Sequence, residues 1–115
     1  MCIRDSLIIG SIHNHGIDLL KENKNFDFEV VDNTDTEFLK DKIKDCEAIS
    51  VRTSELSKEI IDSGKDLKVI SRHGVGYDNI DLEATKQNNI TLAITATANA
   101  QAVAEHVLFM LFSIA

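Results

Sequence analysis

Proline and tryptophan are absent from this sequence, and it has only one tyrosine and two cysteines. Cys2 and Cys46 are too isolated to resemble the spaced pairs of a metal site or the dense cysteines of a disulfide scaffold. We therefore expect two reduced thiols and no metal centre, with a disulfide between the two as the less favoured alternative. Proline makes up about 5% of an average protein, and nothing in the sequence gives a structural reason for its absence.

Positive charge is also scarce, since 12 Lys and Arg face 19 Asp and Glu for a net charge of −7. A general nucleic-acid binder or a polybasic membrane binder would need a basic patch, so we expect neither partner. A cluster of backbone amides can still bind a small anion on an acidic protein. No apolar run has transmembrane length and no secretory leader is evident, so the expected location is the cytoplasm.

Short apolar runs alternate along the 115 residues with segments of helical periodicity, which predicts a single α/β domain. Strands separated by helices form right-handed crossovers and hence a parallel sheet. The second run alternates apolar with acidic residues, as a half-exposed edge strand does. The prediction is a flavodoxin-like sheet of order 2-1-3-4-5 with helices on both faces, whose strands lie at 7–9, 26–30, 48–51, 67–70 and 90–94.

Polar residues mark where the helices begin. Residues 34–37 (Thr-Asp-Thr-Glu) form a capping box, which predicts Thr34 as the cap of the second helix. Ser57 and Asp81 are the predicted caps of the next two helices, and Asn99 is the predicted cap of the last. Gly64 is expected to end the third helix.

The last helix is apolar nearly all the way round, and such a helix must be buried. We therefore expect the chain to be a fragment whose missing part covers this helix. The alternative is a dimer contact through the same surface. One apolar stripe of this helix consists of Val103, Val107, Met110, Leu111 and Ile114, and Leu108, Phe109 and Phe112 lie beside it.

The run Ser-Arg-His-Gly-Val-Gly-Tyr-Asp-Asn-Ile-Asp at 71–81 predicts a strand end, a glycine loop and a helix start. Gly74 and Gly76 let backbone amides approach a ligand closely. In an α/β sheet, a loop at the carboxyl end of a strand is a place to hold an anion. Asn79 stands where a dinucleotide-binding loop has its third glycine, so this is not that motif.

Three segments, at 51–54, 67–81 and 99–106, occur in the same order and at a similar spacing as in the D-isomer-specific 2-hydroxyacid dehydrogenases, and they resemble the N-terminal region of that family. That family includes phosphoglycerate dehydrogenase and the glyoxylate/hydroxypyruvate reductases. The resemblance covers residues 7–115. It implies a substrate (catalytic) domain at 7–99 and, at 100–115, the start of a helix that crosses into a Rossmann NAD domain. Residues 1–6 do not resemble the family and are expected to be a non-native leader or a short natural extension.

By this resemblance the glycine loop holds the carboxylate of a small 2-hydroxy or 2-oxo acid, and Val75 also touches the nicotinamide of NAD or NADP. The family's Pro-Gly before the last helix is replaced by Ala96 and Thr97, which puts the rigidity of that loop in doubt. The family's catalytic Arg, Glu and His lie beyond the end of this sequence, so no catalytic residue is assigned. The implied substrate-binding residues are Arg52, Thr53, Gly74, Val75, Gly76 and Asn99.

The resemblance thus implies part of an oxidoreductase that acts on the CH-OH group of 2-hydroxy acids, a homodimer at full length and inactive as this fragment. The alternative is a non-catalytic flavodoxin-like binding or signalling module. A phospho-receiver of that fold needs carboxylates after its first and third strands, where this sequence has Gly10 and Arg52. Arginine in that position disfavours the alternative.

The histidines suggest little chemistry of their own. His13 and His15 are expected to be a solvated loop pair, because no third metal ligand is apparent. Glu105 and His106 point about 100° apart on one helix, so they do not form an acid–base dyad. His73 precedes the glycine loop, where a place in the cleft and a packing role are equally plausible.

Overall fold

The computed structural model describes residues 5–115 and contains five strands and five helices in strict alternation. The strands are β1 (Asp5–Ile9), β2 (Asp27–Val31), β3 (Ala48–Val51), β4 (Val69–Arg72) and β5 (Thr91–Ile94). The helices are α1 (Asn14–Glu22), α2 (Thr36–Ile43), α3 (Lys58–Ser63), α4 (Leu82–Gln87) and α5 (Ala100–Ile114).

The strands form one parallel sheet of order β2-β1-β3-β4-β5, which confirms the predicted fold class and topology. The pairing aligns the carboxyl ends of neighbouring strands. Val51 at the end of β3 lies opposite Arg72 at the end of β4, which in turn lies opposite Ile94 at the end of β5. The loops that follow these three strands therefore leave the sheet side by side along one edge.

Most of the hydrophobic core lies between one face of the sheet and helices α2, α3 and α4. Alternate residues of each central strand point into this core, because successive side chains of a strand point to opposite faces of the sheet. Because β2 lies on the opposite side of β1 from β3, right-handed crossovers place α1 on the other face. The core includes Leu7, Ile9, Ile49, Val51 and Ile70 from the sheet, and Leu39, Ile43, Ile60, Ile61 and Ala84 from the helices.

Helix starts agree with the predicted positions in three of four cases. The Asp81 carboxylate accepts from the Ala84 amide at 3.0 Å and caps α4. Ser57 and Asn99 occupy the N-cap positions of α3 and α5, but neither side chain makes a capping hydrogen bond. The prediction for Thr34 was wrong by one residue, because Asp35 is the cap of α2 and accepts from the Phe38 amide at 3.4 Å.

Two expectations near the N-terminus can be compared with the structure. β1 begins at Asp5, so residues 5 and 6 belong to the first strand, while residues 1–4 of the expected leader, with Cys2, lie outside the described part of the chain. The histidine pair is not in a loop, since His13 is the N-cap of α1 and its Nδ1 accepts from the His15 amide at 3.1 Å. An N-cap needs an acceptor, and a neutral imidazole nitrogen supplies one.

Helix α5 has the apolar composition of a buried helix, yet none of its residues is buried. Phe109 is 65% exposed, Phe112 76% and Ile114 84%. The burial that its sequence demands is therefore not supplied by the other described elements. In the described part of the chain, no helix is both long enough and apolar enough to cross a membrane.

Candidate functional site

The candidate site lies at the carboxyl edge of β3, β4 and β5, where three loops begin next to one another. Backbone hydrogen bonds tie these loops together. The His73 amide donates to the Val51 carbonyl at 2.7 Å, which joins the β4 loop to the end of β3. The Thr95 amide donates to the Gly74 carbonyl at 3.0 Å, which joins the β5 loop to the glycine loop.

Gly74 forms the tight turn at the start of the glycine loop. Its φ is +147°, a value that side-chain-bearing residues rarely adopt, and its amide donates back to the Arg72 carbonyl at 3.0 Å. A Cβ at Gly74 would collide with Nη1 of Arg72, whose side chain covers the turn. Gly74 therefore contributes backbone shape, and its amide is already used within the protein.

Val75 and Gly76 form the exposed tip of this loop. Val75 is 39% exposed, and a Cβ added to Gly76 would meet no atom within 4 Å. Within the described residues, neither amide donates to a protein acceptor. Two successive amides that are open to solvent at a strand end can donate hydrogen bonds to an anion.

Arginine side chains stand at the ends of two neighbouring strands. Arg52 and Thr53 follow β3 directly and are both exposed, in the place that the sequence predicted. Arg72 ends β4, with Nη1 donating to the His73 carbonyl at 2.7 Å and Nε donating to Oδ1 of Asn79 at 3.4 Å. Both guanidinium groups can attract a carboxylate to this edge of an acidic protein.

Sequence reasoning did not identify Arg72 as part of this edge, and it did not identify the partners of the Asn79 side chain. The Asn79 Nδ2 donates to the Ser54 carbonyl at 2.8 Å, which is 25 residues away in the sequence. No local pattern identifies such a distant partner. The only available signal was the polar run that follows the glycines, and it carries no information on where those side chains reach.

Asn99 is less closely connected to the other predicted site residues. It follows β5 by five residues and starts α5, where its carbonyl accepts from the Val103 amide at 3.0 Å. Within residues 5–115, no described hydrogen bond joins Asn99 to Arg52, Thr53 or residues 74–76.

Of the remaining histidines, one lies on α5 and one lies directly before the glycine loop. His106 stacks on Phe109 of the same helix with ring centroids 6.0 Å apart, and Glu105 accepts from Gln101 at 2.9 Å. The His73 side chain is exposed at the site's edge. Among the described residues, no three His, Cys, Asp or Glu side chains are grouped to hold a metal ion.

A cavity of about 540 Å³ lies at the opposite edge of the sheet, near the starts of β1 and β2. Its walls carry an ion pair in which Lys42 Nζ approaches Glu29 Oε1 to 2.8 Å. That hydrogen bond raises the pKa of Lys42 above its ordinary value. The Cys46 thiol, also on the wall, donates to the Lys42 carbonyl at 3.2 Å. These groups are paired with one another, which makes this cavity a poorer candidate than the glycine loop.

Residues 6–110 match the family model described as "D-isomer specific 2-hydroxyacid dehydrogenase, catalytic domain". A Staphylococcus epidermidis protein named as a 2-hydroxyacid dehydrogenase is 36% identical over 112 residues. That alignment covers 94% of this chain and 35% of the relative. The chain thus spans about a third of the length of the curated relatives it matches.

Solved structures match the same region. A crystal structure of a Pyrococcus horikoshii protein aligns with a TM-score of 0.84 and 28% identity, over 93% of this chain and 32% of the other. The 3-phosphoglycerate dehydrogenase of Entamoeba histolytica, whose structure contains bound NAD⁺, aligns with a TM-score of 0.77 and 30% identity. In that case the alignment covers 94% of this chain and 38% of the other.

Proposed function

The chain belongs to the D-isomer specific 2-hydroxyacid dehydrogenase family, and we propose that it is the substrate domain of an oxidoreductase that uses NAD or NADP. The enzyme interconverts a small 2-hydroxy acid and its 2-oxo acid. The observation that carries this proposal is the pair of open amides of Val75 and Gly76 beside Arg52 at the carboxyl edge of the sheet.

In this proposal the Val75 and Gly76 amides donate to the substrate carboxylate. Arg52 adds a positive charge, and a hydrogen bond between charged groups is roughly twice as strong as a neutral one. Thr53 and Asn99 line the same cleft. Gly74 shapes the turn instead of donating, because its amide already bonds to Arg72. These groups bind and orient the acid, and they position its C2 without moving a proton.

The nicotinamide cofactor supplies the hydride acceptor or donor when bound. We assign most of its binding to a further domain and only an apolar contact to the Val75 side chain, which is exposed and uncharged at the loop tip. Residues 7–99 then form the substrate domain, and 100–115 begin the helix that leads to the cofactor domain. The exposed apolar surface of α5 supports this assignment. The full-length enzyme is proposed to be a cytoplasmic homodimer.

A comparison of substrates with and without a carboxylate tests the proposed function. The full-length enzyme that contains this chain should oxidise NADH or NADPH with glyoxylate, hydroxypyruvate or pyruvate. Matched carbonyl compounds without a carboxylate, such as glycolaldehyde and hydroxyacetone, should be poor substrates because they leave the amides unpaired. The 115-residue chain alone should be inactive. Equal rates with and without the carboxylate, or no activity with any 2-oxo acid, would contradict the proposal.

A further inference from the structure

We propose that Asn79 is a positioning residue, whose carboxamide holds the Arg52–Ser54 loop at a fixed distance from the glycine loop. The inference deepens the proposed function, on which it rests, because these two loops carry the groups assigned to the substrate carboxylate. Asn79 itself is partly buried, and in this proposal it acts on the substrate only through the two loops.

Both polar atoms of the Asn79 side chain make hydrogen bonds to residues at the ends of β3 and β4. Nδ2 donates to the Ser54 carbonyl at 2.8 Å and lies 3.5 Å from the Arg52 carbonyl. Oδ1 accepts from Nε of Arg72 at 3.4 Å. One side chain thus connects the segment after β3 with the residue that ends β4.

Arg72 carries the connection on to the glycine loop. Its Nη1 donates to the His73 carbonyl at 2.7 Å, and its guanidinium covers Gly74. Asn79 therefore fixes the guanidinium that lies over the turn before Val75. When this contact is lost, Arg72 gains rotamer freedom, and the spacing between Arg52 and the open amides is no longer fixed.

The chemistry of an amide suits this position better than that of the nearest alternatives. An amide offers two donors and an acceptor, whereas a carboxylate offers acceptors only. Asn79→Asp keeps the acceptor for Arg72 but turns a second oxygen toward the Ser54 and Arg52 carbonyls. Asn79→Ala removes both connections without adding repulsion.

The backbone around Asn79 is held independently of its side chain, so these variants should fold. The Leu56 amide donates to the Asn79 carbonyl at 2.8 Å, and the Asp81 amide donates to the Leu56 carbonyl at 3.2 Å. Leu56 and Ile80 form an isolated parallel bridge, and both are buried in the core.

The experiment compares Asn79→Ala and Asn79→Asp with the control Asp78→Ala in the full-length enzyme. The Asp78 side chain is exposed and makes no hydrogen bond within residues 5–115. We expect Asn79→Ala to raise the KM for the 2-oxo acid about tenfold, the scale of one lost hydrogen bond, with the KM for NADH or NADPH unchanged. Asn79→Asp should raise the KM for the 2-oxo acid at least as much, and Asp78→Ala should leave that KM within about twofold of the wild-type value.

Hydrogen exchange provides a second readout that needs no substrate. The His73 amide, which joins the start of the glycine loop to the Val51 carbonyl at the end of β3, should exchange faster in both Asn79 variants and not in the control. A KM within about twofold of wild type in Asn79→Ala, whatever its stability, would overturn the positioning role. An inactive wild-type enzyme would overturn the proposed function and the substrate part of this inference, while the exchange comparison would still decide whether Asn79 couples the loops.

Discussion

At the scale of single residues, the two glycines of the loop have different neighbours and should respond differently to substitution. Gly74 has a φ of +147°, and a Cβ there collides with Arg72, whereas a Cβ at Gly76 meets nothing within 4 Å. We expect Gly74→Ala to lower the free energy of unfolding by about 1–3 kcal/mol and Gly76→Ala to change it by less than about 0.5 kcal/mol. Urea denaturation of both variants measures the difference, and equal losses would contradict this account of the turn.

The residue scale is also where the sequence was least informative. It located the glycine loop and placed Arg52 beside it, because strand ends and glycines are local signals. It did not reveal that the Gly74 amide is used within the protein or that Asn79 reaches Ser54. Both facts depend on how the loops after β3 and β4 lie relative to each other, and tertiary packing sets that arrangement.

At the scale of secondary-structure elements, the N-caps of α3 and α4 offer a matched pair. The Asp81 carboxylate accepts from the Ala84 amide at 3.0 Å, whereas the Ser57 side chain makes no capping bond. Asp81→Ala should therefore cost about 1 kcal/mol of unfolding free energy, and Ser57→Ala should cost less than about 0.5 kcal/mol. Thermal or urea unfolding distinguishes the two, and a larger loss for Ser57→Ala would show that the caps are wrongly assigned.

Helices α3 and α4 are also joined by a pH-sensitive contact. Hydrogen bonds from Asn88, and then from Lys58, lower the pKa of Asp62 below its ordinary value. A lowered pKa in the folded state means that the contact stabilises the protein at neutral pH and is lost as the pH falls through that pKa. Asn88→Ala should raise the pKa of Asp62, which NMR titration of its carboxyl group can follow. An unchanged Asp62 pKa would rule out Asn88 as the main cause.

The elements themselves were largely predictable from their patterns. Apolar runs separated by helical segments predicted a parallel sheet, and the half-exposed pattern of the second strand predicted its place at an edge of that sheet. The errors were local. Thr34 and Asp35 are both good caps, and the sequence does not show which of them precedes the first helical residue. β1 extends back to Asp5 because it pairs with Asp27 of β2, a contact that short-range patterns do not contain.

At the scale of the whole molecule, the exposed apolar surface of α5 should control association. Its side chains include Phe109 and Phe112, which are 65% and 76% exposed. Contiguous apolar surface of this kind drives self-association, so the 115-residue chain should sediment as a dimer or larger species. Phe109→Ser with Phe112→Ser should shift it toward monomer. A wild-type chain that stays monomeric at high concentration would contradict this prediction.

The central claim is that the loop at 74–76 holds the substrate carboxylate through backbone amides, and the KM of Gly76→Val in the full-length enzyme tests it most directly. Because a Cβ at Gly76 has no neighbour within 4 Å, the variant should fold normally while its side chain fills the approach to the amides. We predict a KM for the 2-oxo acid raised about tenfold or more, or lost activity, with an unchanged unfolding midpoint. A folded Gly76→Val enzyme with the wild-type KM would contradict the assignment.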